Sequence, residues 1–334
     1  MTYRTKLIDV ELNQPLQTIE HLIGFQKLKA LVRWHGVPLG FVQIPVHDGR
    51  CLATTLAQEI LEKYHWSILH QALQIQLRYD VAMTELNVPK MLTLQLPPCQ
   101  KPLPSITVAV CTHDCPADLR PCLDALSQLD YPNLDYLVVN YAPSEDITAQ
   151  LVRTDYPHIR YIHEPRPSLN WARNRAAVEA KGEIIAYVND FSTVDPSWAK
   201  ILATRFAESP EVMVVTGLIV PAALDNDSQI QFEAYGSFAL DCERKWFHTG
   251  QGKPLPKELV AHPWWLGTDL NMAVRRTVFE QVGYFDPALT MKPPLDGAGA
   301  LDMFCRVLKY GHVLLYEPAA IARHRVVTDE TTLK

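Results

Sequence analysis

The spacing of apolar residues changes after the first hundred positions, and the change predicts two kinds of architecture. Ile8, Val10 and Leu12 alternate with charged or polar neighbours, the two-residue period of a half-buried strand. Residues 30–34 and 41–46 flank His35-Gly-Val-Pro-Leu-Gly40, which reads as a hairpin with glycines bounding its turn. Leu52, Leu56, Ile60 and Leu61 recur at helical spacing, as do Ile68, Leu69, Leu73 and Leu77 further on. Trp34, Tyr64 and Trp66 are expected to pack a small local core. These elements predict a small α+β domain over residues 1–96. Residues 96–104, Leu-Pro-Pro-Cys-Gln-Lys-Pro-Leu-Pro, hold four prolines. Proline cannot continue a helix or a central strand, so residues 97–104 are expected to be a stiff linker. A short, stiff connection predicts a fixed arrangement of the flanking units across an apolar contact.

Beyond the linker the pattern is one of buried strands. Residues 106–111 are a continuous β-branched run, as in a strand covered on both faces. Further strands are predicted at 135–140, 159–163 and 183–188. They alternate with helices carrying Leu119, Leu123 and Leu126, then residues 147–153, then 169–180. Such alternation predicts an α/β domain over residues 105–330, with a mostly parallel sheet and helices on both faces. Ligands of these sheets bind beyond the carboxyl ends of the strands, so the residues just after each strand are the ones to inspect for chemistry.

Composition narrows the function classes. Hydrophobic residues make up 48% of the 334 positions and charged residues 20%, which excludes a disordered, coiled-coil or collagen-like chain. A net charge of -6, with no basic stripe, argues against nucleic acid as a partner. Seven cysteines without framework spacing read as free thiols of a reducing compartment. The amino-terminal residues lack an apolar core, so no signal peptide is expected. The longest apolar stretch, residues 212–224, falls short of the ~20 residues a transmembrane helix needs. A cytoplasmic location is the expectation.

Several motifs then follow in order. They are Val108-Ala-Val-Cys-Thr-His-Asp114, Glu164-Pro-Arg-Pro-Ser-Leu-Asn-Trp-Ala-Arg-Asn-Arg175 and Lys181-Gly-Glu-Ile-Ile-Ala-Tyr-Val-Asn-Asp190. Thr216-Gly217, Gly267-Thr-Asp-Leu-Asn-Met-Ala-Val-Arg-Arg276, Val282-Gly-Tyr-Phe-Asp-Pro287, Tyr316-Glu-Pro318 and His324-Arg325 complete the series. Together they make residues 106–325 resemble family 2 glycosyltransferases of the GT-A fold. The resemblance implies inverting transfer of a sugar from a nucleotide-diphosphate donor to a hydroxyl acceptor. It also implies Mg²⁺ or Mn²⁺ as cofactor if the site turns over, because hard cations held by oxygen ligands offset the charge of the diphosphate leaving group. By the same resemblance, Thr112, Asp114, Asn140 and Asn189 fall at nucleotide-contacting positions. Arg173, helped by Arg166, falls at a phosphate-contacting one, and Asp190 and His324 at metal-binding ones.

The sequence departs from the family pattern wherever acidity is required. Asn140-Tyr141 follows the second strand, where an Asp is usual. Asn189-Asp190-Phe191 replaces an acidic triplet, and the register of residues 304–308 puts Gly299-Ala300 where the family has its Glu-Asp base. An unactivated hydroxyl needs a positioned base, worth roughly 10²–10⁴-fold in rate. Asp302 and Asp296 are the candidates for a displaced base, but Asp302 reads rather as a helix-start residue facing its own backbone amides or a nearby arginine. The glycines at 297 and 299 suggest a loop too mobile to hold a base. Asp190 fits a turn cap as well as a metal ligand, Arg173 a surface ion pair, and His324 a structural role. Cys111, Cys115 and Cys122 lack the paired spacing of a soft-metal site. Trp264-Trp265 reads as an aromatic wall or as core. Two functions follow: a glycosyltransferase-like protein with degenerate catalytic machinery that still binds a nucleotide sugar, or a non-catalytic scaffold that binds a protein partner through residues 1–96. In the second case no cofactor is needed.

Overall fold

Three strands and one long helix form the first part of the molecule. The computed structural model describes residues 4–79, 92, 99–234, 241–289 and 298–326. Strand β1 (Thr5–Glu11) pairs in parallel with β2 (Lys27–Trp34), which pairs antiparallel with β3 (Val37–Pro45). The hairpin turn is tighter than the six residues expected. His35 (φ 53°) and Gly36 (φ 74°) are both left-handed, the two-residue geometry that matches strand twist. Their amides donate to the Glu11 carboxylate at 2.8 and 2.9 Å, and residues 37–40 join β3. Helix α1 (Ala53–Tyr79) is continuous where the sequence suggested two apolar stretches. Leu56, Ile60, Tyr64, Ile68, Ala72 and Ile75 form its buried face, so Tyr64 carries that face across Lys63 and His65. Trp34 and Tyr64 pack this core as expected, whereas Trp66 is 73% exposed and Leu52, Leu61, Leu73 and Leu77 also face outward.

The second part is a nine-stranded sheet. In chain order it comprises β4 (Ile106–Thr112), α2 (Pro116–Leu126), β5 (Leu134–Tyr141), α3 (Ile147–Asp155), β6 (Arg160–Glu164), α4 (Leu169–Glu179), β7 (Ile184–Asn189) and β8 (Ser192–Val194). It continues with α5 (Trp198–Glu208), β9 (Val212–Pro221), α6 (Asp227–Ala234), β10 (Lys245–His248), α7 (Lys257–Ala261), β11 (Asn271–Arg275), α8 (Val278–Val282), α9 (Ala298–Lys309) and β12 (Val313–His324). The strand order is β10-β12-β9-β11-β7-β4-β5-β6, with β8 on β12. Strands β7, β4, β5 and β6 are mutually parallel, with Ala109 opposite Leu137 and Tyr187. All seven residues of β4 are buried, because α2 and α5 cover one face and α4 and α9 the other. Strand β11 enters antiparallel between β7 and β9, and β9 pairs in parallel with β12, so the far half of the sheet is mixed.

The two sheets touch directly. Leu31 packs with Leu218, Val220 and Ile321, and the Thr5 amide donates to Leu224 O at 3.1 Å. Around this apolar contact, Arg33 pairs with Asp195 (2.7 Å) and Asp9 (3.0 Å). Arg323 also pairs with Asp9, and Lys29 with Glu233. Burial alone would lower the pKa of Arg33, but Asp195 and Asp9 outweigh it and raise it. Among the described residues, no helix is long and apolar enough to cross a membrane.

Candidate functional site

A cavity of about 560 Å³ opens at the carboxyl ends of β4 and β7, where a parallel sheet of this kind binds its ligands. Its walls combine Leu169, Phe191, Leu270, Ala300 and Leu301 with the polar groups of Asn189, Asp190 and Asp269. His113 and Tyr141 line it too, with ring centroids 5.1 Å apart. Trp264 stands at the mouth, 55% exposed, its ring edge-on to His262. Trp265 stacks on His262, with ring centroids 4.8 Å apart, and is not a lining residue. Among the described residues, the lining includes no lysine or arginine.

Asp190 is 4% exposed, and its Oδ2 accepts the Thr112 hydroxyl at 2.7 Å. Burial pushes its carboxyl up to about 6, against hydrogen bonds from Thr112 and nearby amides that favour the charged form. Asn189 turns its Oδ1 to the Phe191 amide at 2.9 Å, closing a local turn. Thr112, Asp114 and Asn140 are not lining residues. Thr112 holds Asp190, whereas Asp114 and Asn140 form a separate network, in which Asn140 donates to Asp114 (3.2 Å) and Tyr161 (3.3 Å). The Asp114 carboxylate takes the Ser144 amide and hydroxyl at 2.6 and 2.7 Å. Burial would raise the pKa of Asp114, but the bonds from Ser144 and Asn140 bring it below the ordinary range.

Helix α4 starts at Ser168, whose hydroxyl caps the Asn170 amide, a standard use of serine at this position. The first turns of α4 then hold down distant segments. Asn170 donates to Asp286 O (2.8 Å), and Asn174 exchanges two hydrogen bonds with the backbone of Phe285 (2.8 and 2.9 Å). Arg173 is 3% exposed and is bound to Asp269 at 2.5 Å and to Asn170 Oδ1 at 3.1 Å, with its guanidinium over the Phe285 ring. Arg166 makes a bidentate pair with buried Glu164 (2.6 and 2.8 Å) and lies on Trp171. Both arginines expected at phosphate are thus engaged by carboxylates. Asp269 is the site residue the sequence reading passed over. Its signal was available, since it lies two residues beyond Gly267 within one of the matched motifs.

The remaining candidates lie apart. Asp302 is in the second turn of α9, not at its start, and pairs with Arg306 at 2.8 Å; it does not line the cavity. Asp296 lies outside the described residues, as does Gly297. Gly299 is helical and buried rather than part of a loop, and a Cβ there would overlap the Asn170 side-chain amide. Ala300 presents only a methyl group to the cavity. His324 approaches Ser192 (3.4 Å) and lines a separate small cavity with Phe232 and Glu233; burial lowers its pKa. Among the described residues, no three His, Cys, Asp or Glu side chains converge as a metal-ligand set. Of the two expected metal-binding residues, Asp190 lines the cavity and His324 does not, so Asp190 is the one that could share a divalent cation with substrate phosphates. Cys111 lines the cavity, but burial pushes its thiol to about 12, leaving it protonated and unreactive.

Comparison with known proteins places the chain. Residues 107–282, more than half of it, match the family described as Glycosyl transferase family 2. An uncharacterized glycosyltransferase, YibD, of Escherichia coli (strain K12) is 25% identical over 105 residues, covering 31% of this chain and 30% of the relative. A glucosyl-dolichyl phosphate glucuronosyltransferase of Haloferax volcanii is 20% identical over 187 residues, covering 54% of this chain and 56% of the relative. The matches thus span from under a third to just over half of these curated relatives. Among solved structures, the mannosyltransferase PcManGT from Pyrobaculum calidifontis, in complex with GDP-Man and Mn²⁺, superposes with a TM-score of 0.48 at 16% identity, covering 81% of this chain and 68% of that one. With its motifs carried on this sheet, the chain belongs to glycosyl transferase family 2 and has that family's GT-A fold.

Proposed function

We propose that this protein keeps the cavity of a family 2 glycosyltransferase but does not carry out metal-dependent sugar transfer. The observation that carries the reading is the packing at positions 299 and 300. The register assigns the catalytic Glu-Asp pair to these positions, yet Gly299 is pressed against Asn170, itself held by Asp286 O and Arg173. A glutamate there has no room, and Ala300 accepts no proton. Three further features support the reading. Phe191 takes the place of a carboxylate in the cavity wall. Arg173 and Arg166 are neutralised by Asp269 and Glu164. Asp190, whose bonds are to Thr112 and backbone amides rather than to a cation, repels a diphosphate when ionised, by about 3 kcal/mol per charge pair at ~6 Å and an effective dielectric constant of ~20. Nominal transfer, with inversion, from a nucleotide-diphosphate sugar to a hydroxyl is the ancestral chemistry this site has given up.

The test is turnover. The purified chain is incubated with UDP- and GDP-sugars and Mn²⁺, and released nucleotide is measured. The expected result is no release above the uncatalysed rate. Steady release that disappears in Asp190→Asn would contradict the proposal and favour a second reading. In that reading Asp190, inside the cavity with its carboxyl raised to about 6, acts as the base, since a base works best with a pKa near the working pH.

A further inference from the structure

One buried charge on the cavity wall has no counter-charge. The hydrogen bonds to Asp190 come from the Thr112 hydroxyl and backbone amides, none of them a cation. Asp269, the other acid on the lining, is neutralised by Arg173 at 2.5 Å. Among the described residues, no lysine or arginine lines the space. His113 does line it, but its ring lies against Tyr141 and its charge acts on Asp114. A carboxylate withdrawn from water without a partner is costly, so Asp190 favours a ligand that brings a positive charge. The walls are aromatic and aliphatic: Tyr141, Phe191 and half-exposed Trp264 carry π faces, and Leu270 and Leu301 continue the apolar surface. The volume, about 560 Å³, is within the roughly 300–1,000 Å³ of small-molecule sites.

From this distribution we infer that the cavity binds an organic monocation of the alkylated-ammonium class, held by Asp190 and the aromatic walls, in place of a nucleotide diphosphate. The inference rests on the reading that metal-dependent transfer has been lost. A positive charge compensates Asp190, which a neutral ligand leaves unpaired and an anionic one repels. Aromatic faces attract a cation through the ring quadrupole, and most strongly where water is excluded. The other acceptors on the lining are already engaged within the chain, Asp269 by Arg173 and Asn189 Oδ1 by the Phe191 amide. A primary ammonium or a guanidinium brings three to five N–H donors, and most of them would find no acceptor here. An ammonium whose protons are replaced by alkyl groups has no donors to satisfy. Its methyl groups carry the charge against the rings of Tyr141, Phe191 and Trp264.

The experiment is a titration of the intact chain at neutral pH with phenyltrimethylammonium, followed by tryptophan fluorescence and thermal shift. Its uncharged isostere tert-butylbenzene and UDP-glucose with Mn²⁺ are run in parallel. The cation is expected to saturate and to bind about tenfold more tightly than the isostere. Asp190→Asn, which keeps an oxygen for Thr112, should weaken the cation by about tenfold or more and leave the isostere unchanged. Trp264→Ala should weaken the cation about five- to tenfold. Trp246→Ala, at an exposed tryptophan that does not line the cavity, should leave it unchanged. No saturable binding of the cation, equal binding of the isostere, or indifference to Asp190→Asn overturns the inference and leaves the loss of transfer standing. Saturation by UDP-glucose with Mn²⁺ but not by the cation overturns both.

Discussion

Asp190 is where burial and charge conflict most directly. Its ordinary pKa is 3.8, and burial holds it near 6 in the folded chain. The folded state therefore binds more protons than the unfolded one between pH ~4 and ~6. The contribution of Asp190 to stability is most favourable below pH ~4, falls through that window and stays at its lowest above it. Asp190→Asn keeps an oxygen for the Thr112 hydroxyl and removes the buried charge. The variant should be more stable than the parent by on the order of 1–3 kcal/mol at pH 7, with the difference vanishing near pH 4. Urea unfolding across pH 4–8 checks this, and an Asn variant less stable at neutral pH would refute it. Gly299 makes the complementary case. Gly299→Ala would normally strengthen a helix, but overlap with Asn170 should reverse the sign and cost about 1–3 kcal/mol. A thermal melt showing stabilisation would mean the space exists after all. That residues 299 and 300 carry no acid is plain in the sequence. The packing of Gly299 against Asn170 was not, because no periodic pattern links positions so far apart.

At the scale of elements, α4 is the device that organises the cavity. Its Ala172-Arg173-Asn174 motif reads from sequence as a ligand-binding signature, yet here Arg173 meets Asp269 and Asn174 clamps the Phe285 backbone. The pairing was illegible for a physical reason: an arginine near a helix start looks the same whether it faces a phosphate or a carboxylate from a later loop. Breaking the pair tests its role. Asp269→Ala strands a buried guanidinium and should cost roughly 3–5 kcal/mol, whereas Arg173→Met with Asp269→Leu removes both charges and should recover most of that loss. Calorimetric melts of the three variants decide it, and a double variant no better than the single would show that the ion pair is not what matters. The parallel strands β4 to β7 were legible because each is an apolar run buried on both faces. Helix α1 was read as two pieces because Tyr64, a core residue, sits among Lys63, His65 and Trp66 and hides the continuous spacing.

At the scale of the molecule, the amino-terminal strands and the large sheet are joined through Arg33. Its guanidinium, 11% exposed, bridges Asp9 of β1 and Asp195 beyond β8, next to the Leu31, Leu218 and Ile321 contact. Arg33→Ala leaves Asp195 without its cation while Asp9 keeps Arg323, and should lower stability by ~3 kcal/mol. It should also split one unfolding transition into two as the sheets uncouple; a single, unshifted transition would show that the bridge couples nothing. None of these partners was readable from the sequence, since each lies on a different element. For the cavity as a whole, the proposal is that it does not handle a nucleotide diphosphate through a metal. Isothermal calorimetry of UDP- and GDP-sugars against the intact chain, with and without Mn²⁺, decides this. No heat of binding that depends on Mn²⁺ is expected. Micromolar, metal-dependent binding of any of these donors would contradict it.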